Sequence, residues 1–532
     1  MRVRAAAPNL LDRLVGYFAP GLAVERIRDR TMLSMVTGSG AGGYAGGKRD
    51  RRATKNWRPG NGSANADLLP ELDTLRSRNR DLVRNVPIAS GAVSTNKTHV
   101  IGDGLALNAT CDRDALGISQ ERAAAHNKAA EREWATFCET ADFTGVQHLA
   151  DMQYMLFGAV LDSGDVFVLR RYRDVGTRYA LRLQAIEADR VTNPMWRADT
   201  TTLAGGIEHD SDGVPVAVHI ADQHPGDIRR TSMSWRRVQM RFEDSSPVVL
   251  HLFDRSRPDL ARGVPYLAPV IEMLKSLGDF TDAEVRSALV AAMFAVFVEK
   301  SPDAESSPLP TTGEGSNGKD EVELGSGAII DLAEGEKITV ASGARPNPQF
   351  DPFMMAMFRQ IGVALELPVE LLIKHFTASY SASRAALEMA WHTFRRRRSW
   401  FARTLLQPVY EMVIEEAVLR GYLDCPGFED PLLRAAWCKA TWSGPVRLSL
   451  NPKLEAEADE IDLRNHLKTR QQVMTERTGG DFDQKIEQGK REKAAIDDAF
   501  PAAVPAPPPS TEGSPQVDEK AEPEEDKEND EP

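Results

Sequence analysis

The stretch PYLAPVIEMLKSLGDFTDAEVRSALVAAMFAVFV, residues 265–298, decides how the rest of the chain is read. Val270, Leu274, Leu277, Val285, Ala288, Ala292 and Val296 recur in it at helical spacing, and Pro265 suits a first helical turn. Taken as one helix, these residues span about 50 Å, far beyond the three turns usual in globular proteins. A Pro-, Ser-, Gly- and Glu-rich insertion at 301–319 breaks the pattern. Two short strands are expected after it, near 328–332 and 337–341. Helix then resumes over 351–366 and ends before Pro368, which disfavours helical backbone in the residue ahead of it. A helix interrupted by a small β insertion and then resumed lays its two halves side by side, with the insertion at the far end.

Working outward, the upstream part mixes helix and strand. Leu68, Leu72 and Leu75 recur at helical spacing, and further helices are expected over 85–98 and 119–138, the latter with Ala123, Ala130, Trp134 and Phe137 on one face. The period then changes to two. Val166, Val168 and Tyr172 share one side of a strand, as do Tyr179, Leu181 and Leu183. Val214, Val216, Val218 and Ile220 follow the Asp212-Gly213 turn, and 248–253 is a short apolar strand. The result is a mixed α/β module of antiparallel strands over about 65–262. Downstream, the loop 367–381 leads into a long helix over 382–420, with Leu387, Trp391, Phe394, Phe401, Leu405 and Val409 on its apolar face. Residues 453–497 are polar, Glu/Lys-rich and helical in pattern. From Phe500 onward the chain is Pro-rich and then acidic, too poor in apolar residues to fold.

Charge is unevenly placed. Residues 1–58 carry 12 basic and 4 acidic side chains, and 510–532 carry 2 and 10, within a net charge of −13. The two ends cancel and leave a mildly acidic body, unlike the basic face of a protein that grips phosphate. Apart from a short amphipathic helix at 10–18, the first sixty residues, with their Gly-rich runs and arginines, read as a flexible basic arm. No apolar run has the length of a membrane span, and residues 1–9 lack a secretory apolar core, so the chain is expected to stay where it is made. The four cysteines show no paired spacing and no neighbouring histidines, which argues for packing roles rather than zinc or disulfides.

Catalytic signatures are missing or broken. Gly42-Gly-Tyr-Ala-Gly-Gly-Lys48 matches the start of a phosphate loop, but Arg49 stands where Ser or Thr should reach magnesium, and no buried strand precedes it. The overlapping Gly38-x-Gly40-x-x-Gly43 lacks a surrounding βαβ unit. Neither HExxH nor GxSxG occurs. The carboxylates of 455–462 are dense enough on a helix to be a solvated face, although carboxylates gathered from separate strand ends for two metals are not visible to sequence. Arg395-Arg-Arg-Arg398 fans around a helix, so solvated charge or ion pairing between subunits is weighed above contact with DNA. No cofactor and no catalytic residue is expected.

Several stretches resemble the lambda-like family of bacteriophage portal proteins. They are Arg78-Asn-Arg-Asp-Leu-Val-Arg-Asn85 with Ala89-Ser-Gly-Ala and Val100-Ile-Gly-Asp-Gly-Leu105, and His251-Leu-Phe-Asp-Arg-Ser-Arg-Pro258 with Arg262-Gly-Val-Pro-Tyr-Leu-Ala-Pro269. Ser379-Tyr-Ser-Ala-Ser-Arg384, Asn451-Pro-Lys-Leu-Glu-Ala456, Gly480-Asp481 and 484–492 continue the likeness in the same order, so that it covers about 65–497. The resemblance implies an α+β portal fold: a basic N-terminal arm (1–64), an α/β wing (65–262), a stem helix (263–299), a clip (300–350), a second stem helix (351–366) and a tunnel loop (367–381). A long wing helix with its return (382–440), a helical crown (441–497) and an unfolded acidic tail (498–532) complete it.

It also implies a homo-oligomeric ring, a dodecamer, at a capsid vertex, passing double-stranded DNA without sequence preference and without contact with a membrane. The implied partners are the terminase large subunit, the major capsid and scaffold proteins and a head–tail adaptor. Helix pairs repeated about an axis line a tube, which agrees with this reading. The expected channel wall is Glu272, Asp279, Asp282 and Glu284, set against Lys275 and Arg286, since a wall that binds phosphate tightly would have to release it at every step. Lys374, His375, Thr377, Ser379 and Tyr380 are expected at the narrowest point, with Phe376 anchoring the loop. Residues 299–345 carry ten acidic and four basic side chains, and Asp320, Glu321 and Glu323 there are expected to dock the terminase. Two other readings predict different features. A DNA-processing enzyme needs an intact phosphate loop or metal cluster, and another capsid or tail structural protein would not need the helix–insertion–helix unit.

Overall fold

The computed structural model describes residues 9–36, 52, 54, 56–227, 232–292, 296–300, 336–340, 349–376, 379–447, 451–480 and 482–499, in two units, 1–67 and 68–532. The first unit holds α1 (Leu10–Phe18) and α2 (Pro20–Val36). Asn9 caps α1 in a reciprocal box with Asp12. The helix α2 occupies residues that the sequence suggested were part of a flexible arm. Its apolar residues mark no clear face; what orders it is the Asp12 carboxylate, which receives Arg26 and Arg30 from it.

α3 (Ala64–Leu68) crosses into the second unit, which continues with α4 (Leu72–Asn85), α5 (Pro87–Val100), β1 (Ala106–Ala109), α6 (Arg113–Leu116), α7 (Gln120–Cys138) and α8 (Leu149–Ser163). Ser119 caps α7 through its side chain, and Ala123, Ala130, Trp134 and Phe137 are its buried face, as their spacing requires. Then come β2 (Asp165–Tyr172), β3 (Leu181–Ile186), β4 (Leu203–Ala204), β5 (Ile207–His209), β6 (Pro215–Ala221), β7 (Trp235–Gln239) and β8 (Val249–Phe253). They form two antiparallel sheets, β3-β2-β8 and β4-β5-β6-β7. The strand β2 is buried on both sides. Val166 and Val168 join the main core with α4, α5, α7 and α8, while Phe167 and Leu169 join a second core with Ile207, Val218 and Ile220.

Next are α9 (Ile271–Ala292), β9 (Val296–Lys300), β10 (Glu336–Val340), α10 (Phe350–Ala364) and α11 (Val369–Leu372). The helix expected to run to Val298 is α-helical to Ala292, and strand begins at Val296, pairing antiparallel with β10. The expected strand at 328–332 lies outside the described residues. α9 and α10 pack together through Phe280, whose ring lies 5.8 Å from Phe350 and 5.1 Å from Phe353. The long helix over 382–420 is present as α12 (Tyr380–Phe401), a π-turn at Ala402–Leu406 and α13 (Gln407–Leu419). Phe394, Phe401, Leu405 and Val409 are buried, and Leu387 and Trp391 are partly covered. Last are α14 (Pro431–Trp437), β11 (Ala440–Ser443), which pairs with β1, and the polar helices α15 (Pro452–Arg464), α16 (Arg470–Thr478) and α17 (Phe482–Ala499). The four cysteines are free, and burial pushes the Cys138 and Cys425 thiols up to about 12.

Candidate functional site

Two of the stretches that carry the family resemblance, 251–258 and 262–269, meet on one buried carboxylate, which Arg76 joins from the distant α4. Asp165 opens β2 with no exposed surface. The Arg262 guanidinium forks onto it, Nε to Oδ2 at 2.6 Å and Nη2 to Oδ1 at 3.2 Å, while Arg76 Nη2 donates to Oδ1 at 2.8 Å. His251 Nε2 and the Gly263 N–H complete the shell at 3.1 and 3.2 Å. The spare donors of Arg262 reach the carbonyls of Val191, Gly205 and Ala188, each at 2.7 Å, so one side chain ties β2 to the segment before β4 and to the β4–β5 turn. Burial alone would raise the Asp165 carboxyl. The guanidiniums of Arg262 and Arg76 and the His251 hydrogen bond outweigh it and hold the group well below the usual carboxylate range. His251 stacks on Phe167 at 4.1 Å; burial pushes its ionisation down, and the Asp165 contact offsets this only in part. A carboxylate satisfied by five donors has no proton to exchange, and the cluster is a fastener rather than a catalyst.

Two glycines make room for it. At Gly263 a Cβ would lie 1.9 Å from the Gly164 carbonyl oxygen, and at Gly164, with φ of +89°, one would lie 2.3 Å from that of Gly263. This close crossing delivers the chain into α9. Tyr266 Oη then donates to the Leu365 carbonyl at 2.5 Å, just past α10, and accepts from Asn96 Nδ2 on α5 at 3.1 Å. Asn79 on α4 accepts the Leu267 N–H at 3.1 Å. The bases of α9 and α10 are thereby fixed to the same scaffold.

The arginine run 395–398 finishes that joint. Arg397 pairs with Asn96 and with Glu366 (3.2 Å) and lies 4.9 Å from the centre of the Tyr266 ring. Arg398 donates to the carbonyls of His99 (2.9 Å), Val100 (3.2 Å) and Pro445 (2.8 Å), and burial pulls its ionisation down to about 10. Arg395 and Arg396 are exposed, and Arg396 lies 3.3 Å from Asp254. Half of the run is thus taken up inside the protein, Arg397 by side chains and Arg398 by backbone carbonyls, a use that spacing could not reveal.

Of the expected channel residues, Glu272, Asp279 and Asp282 are exposed along one stripe of α9, shared with Lys275, which pairs with Asp279. Glu284 is half-buried on the face that carries Leu277. In the expected tunnel loop, Lys374 takes a left-handed φ of +55° and is exposed, as is His375, whose N–H donates to the Glu370 carbonyl at 3.0 Å. Phe376 and Tyr380 are each 45 % exposed. The Ser379 hydroxyl caps α12 by accepting the Ala382 N–H at 3.4 Å and keeps its own O–H as a donor. Thr377, Asp320, Glu321 and Glu323 lie outside the described residues.

Sequence reasoning passed over a wide groove of about 680 Å³ lined by Arg80, Lys97, Asp151, Tyr154, Asp162 and Glu187. Beside it, Glu187, Asp189 and His224 stand close enough to ring a cation. Arg80, however, pairs with Asp189 and lies 3.5 Å from Glu187. His224 Nδ1 accepts the Gly226 N–H at 2.9 Å, which leaves the ring proton on Nε2 facing Glu187. These groups form an ion-pair cluster, not a ligand set.

Comparison with known proteins agrees with this convergence. The phage portal protein description of the lambda family matches residues 50–398, which include Arg76, Asp165, His251, Arg262 and Arg397. The portal protein of Escherichia phage N15 is 24 % identical over 481 residues, covering 85 % of this chain and 89 % of its own. Portal protein B of Escherichia phage lambda is 23 % identical over 479 residues, with the same coverage. Among solved structures, the neck of a native GTA particle computed with C12 symmetry aligns with a TM-score of 0.39 at 14 % identity, covering 75 % of this chain and 92 % of the other. The virion of a native gene transfer agent particle gives 0.40 at 14 %, covering 84 % and 97 %. With two thirds of its length matched by one family and its buried fastener inside that match, the chain belongs to the lambda family of phage portal proteins.

Proposed function

We propose that copies of this chain close into a ring, a dodecamer, at the unique vertex of a phage-like capsid, and that the ring's channel passes double-stranded DNA inward in packaging and outward in ejection. The observation that carries this reading is the α9–β9–β10–α10 unit. Its two helices pair through Phe280, yet Val285, Leu289, Phe353 and Val363 remain 47 to 83 % exposed. Apolar residues left uncovered by one partner helix call for further copies, and a head-to-tail interface that closes gives a ring. In this reading α9 and α10 are the stem, β9 and β10 the base of the clip, and the loop before α12 the tunnel loop.

The exposed stripe of Glu272, Asp279 and Asp282, only partly offset by Lys275, makes a wall whose negative sign repels phosphate rather than holding it. The acidic clip, with Asp320, Glu321 and Glu323, receives a basic surface of the terminase large subunit, and a head–tail adaptor takes that place afterwards. Capsid and scaffold proteins surround the ring. The packaging energy comes from the terminase, and the ring hydrolyses nothing itself. Negative-stain imaging of the purified protein is expected to show rings with a central hole and a mass of about 700 kDa, twelve chains of 58.6 kDa. Monomers or dimers alone under every assembly condition would refute the ring, and ATP hydrolysis lost on Lys48→Ala would refute the passive role.

A further inference from the structure

The helical hairpin of α1 and α2 is built inside out. A soluble helix pair ordinarily packs its apolar stripes together and turns its charges to water. Here the two buried side chains are Asp12 and the small Ala23, with Val15 and Ile27 half-buried, and the Asp12 carboxylate is clasped by Arg26 at 3.5 Å and by Arg30. The helices approach closely at Gly16, where a Cβ would lie 3.5 Å from Ala23. Most of the large apolar residues stand in water: Leu10, Leu14, Tyr17, Phe18 and Leu22 are 58 to 84 % exposed. Placing five such side chains in water while a charge is spent on the interior is the arrangement of a segment that docks elsewhere.

We propose that this hairpin docks on residues 68–499 of a neighbouring copy of the chain, clasping adjacent subunits together. The proposal rests on the ring described above. Two observations favour a second copy as the occupant. The first is charge: residues 1–67 hold 12 basic and 5 acidic side chains, whereas 68–499 hold 51 and 63, so arm and body attract across copies. The second is reach. Residues 37–63 separate α2 from α3, and that many residues extend to at most about 90 Å, enough to pass from one protomer's body to the next. In a ring each hairpin finds a neighbour at high effective concentration, so a modest patch suffices.

The test uses the full-length assembled protein, with a photo-crosslinking phenylalanine analogue in place of Tyr17 and rings formed from a mixture of isotopically light and heavy chains. Imaging first establishes that rings are present. The expected result is crosslinked peptides joining light to heavy chains, with the partner peptide inside 68–499. Rings that give crosslinks only within one chain, or only hairpin to hairpin, overturn the proposal and leave the ring intact. The absence of rings overturns both. The variant Leu10→Ser, Leu14→Ser, Phe18→Ser keeps Asp12, Arg26 and Arg30, so the hairpin fold survives, and its rings should dissociate about tenfold faster on dilution. Unchanged dissociation overturns the clasp. Co-sedimentation of the wild type with phosphatidylglycerol vesicles, lost in that variant, would instead assign the apolar face to lipid.

Discussion

Asp165, with a guanidinium on each side and a neutral imidazole against one oxygen, shows how one buried charge can organise a chain of this length. Such a cluster adds little net stability compared with an apolar core of the same volume, but removing one partner strands the remaining charge without water. Arg262→Met is therefore expected to cost about 3–5 kcal/mol in urea unfolding. Arg262→Lys should recover little of it, since an ammonium cannot fork onto Asp165 and reach three carbonyls as well. A loss below about 1 kcal/mol in either variant would contradict the fastener.

The same cluster sets a pH dependence. Burial lowers the ionisation of His251 from an ordinary 6.5, and it does the same for His99, His126 and His209. Below that value the unfolded chain binds protons that the folded chain refuses, so stability falls as pH drops from about 7 toward 5. Asp165 is depressed below its ordinary 3.8, so its contribution is complete above that range and is lost only in stronger acid. Thermal melts between pH 7.5 and 5.5 should show the decline, and His251→Gln, which keeps a donor and cannot titrate, should make it shallower, with His99, His126 and His209 carrying the rest. An identical slope in the variant would remove His251 from the account. None of this was legible beforehand. Asp165 follows Ser163-Gly164 with nothing local to mark it, and its partners stand 86 to 98 residues away, Arg76 before it and His251, Arg262 and Gly263 after.

At the scale of elements, long periodic segments were legible and ambiguous or uniformly apolar ones were not. The buried face of α7 is the one the helical spacing names, and that of α12 is named in part: Phe394 and Phe401 are buried, Leu387 and Trp391 partly covered, while Ser383 and Ala390 complete the face. The end of α9 was misjudged because Val296 and Val298 satisfy period two as well as period 3.6, and the pairing with β10 decides between them. α8 went unread because it is apolar on nearly every side, with Leu149, Met152, Leu156, Phe157 and Val160 all buried, which leaves no polar face to give it a phase. α9 itself carries a prediction. Its Val285 and Leu289 are 55 and 58 % exposed, so replacing both with serine should change the stability of the unassembled chain by no more than about 0.5 kcal/mol per site. Ring formation should nevertheless shift to roughly tenfold higher protein concentration, since each apolar patch is lost at every interface around the ring. Light scattering that shows wild-type assembly in this variant would remove α9 from the interface.

For the molecule as a whole, the mildly acidic body argued from composition alone for loose or local contact with phosphate, and the order of elements pointed to the family before any geometry was known. The contact with DNA is the finer matter, and the loop before α12 is where it is expected. The structure changes how that loop should be probed. Ser379 caps α12, so deleting it would weaken the helix by about 1 kcal/mol and blur the result. Lys374 offers a cleaner handle. Its φ of +55° is a conformation glycine adopts freely, so Lys374→Gly removes the charge and leaves the turn unstrained. Combined with Phe376→Ser, at a position already 45 % exposed, it strips the loop of its point charge and its ring without disturbing the cap. If the loop meets the duplex backbone, rings and empty heads form as before while packaged DNA is lost or leaks, and the defect is the same for any DNA sequence, because a lysine on phosphate reads none. Full, infectious particles at wild-type yield from this double variant would show that the loop only connects two helices, and the search for the DNA contact would move to the exposed stripe of α9.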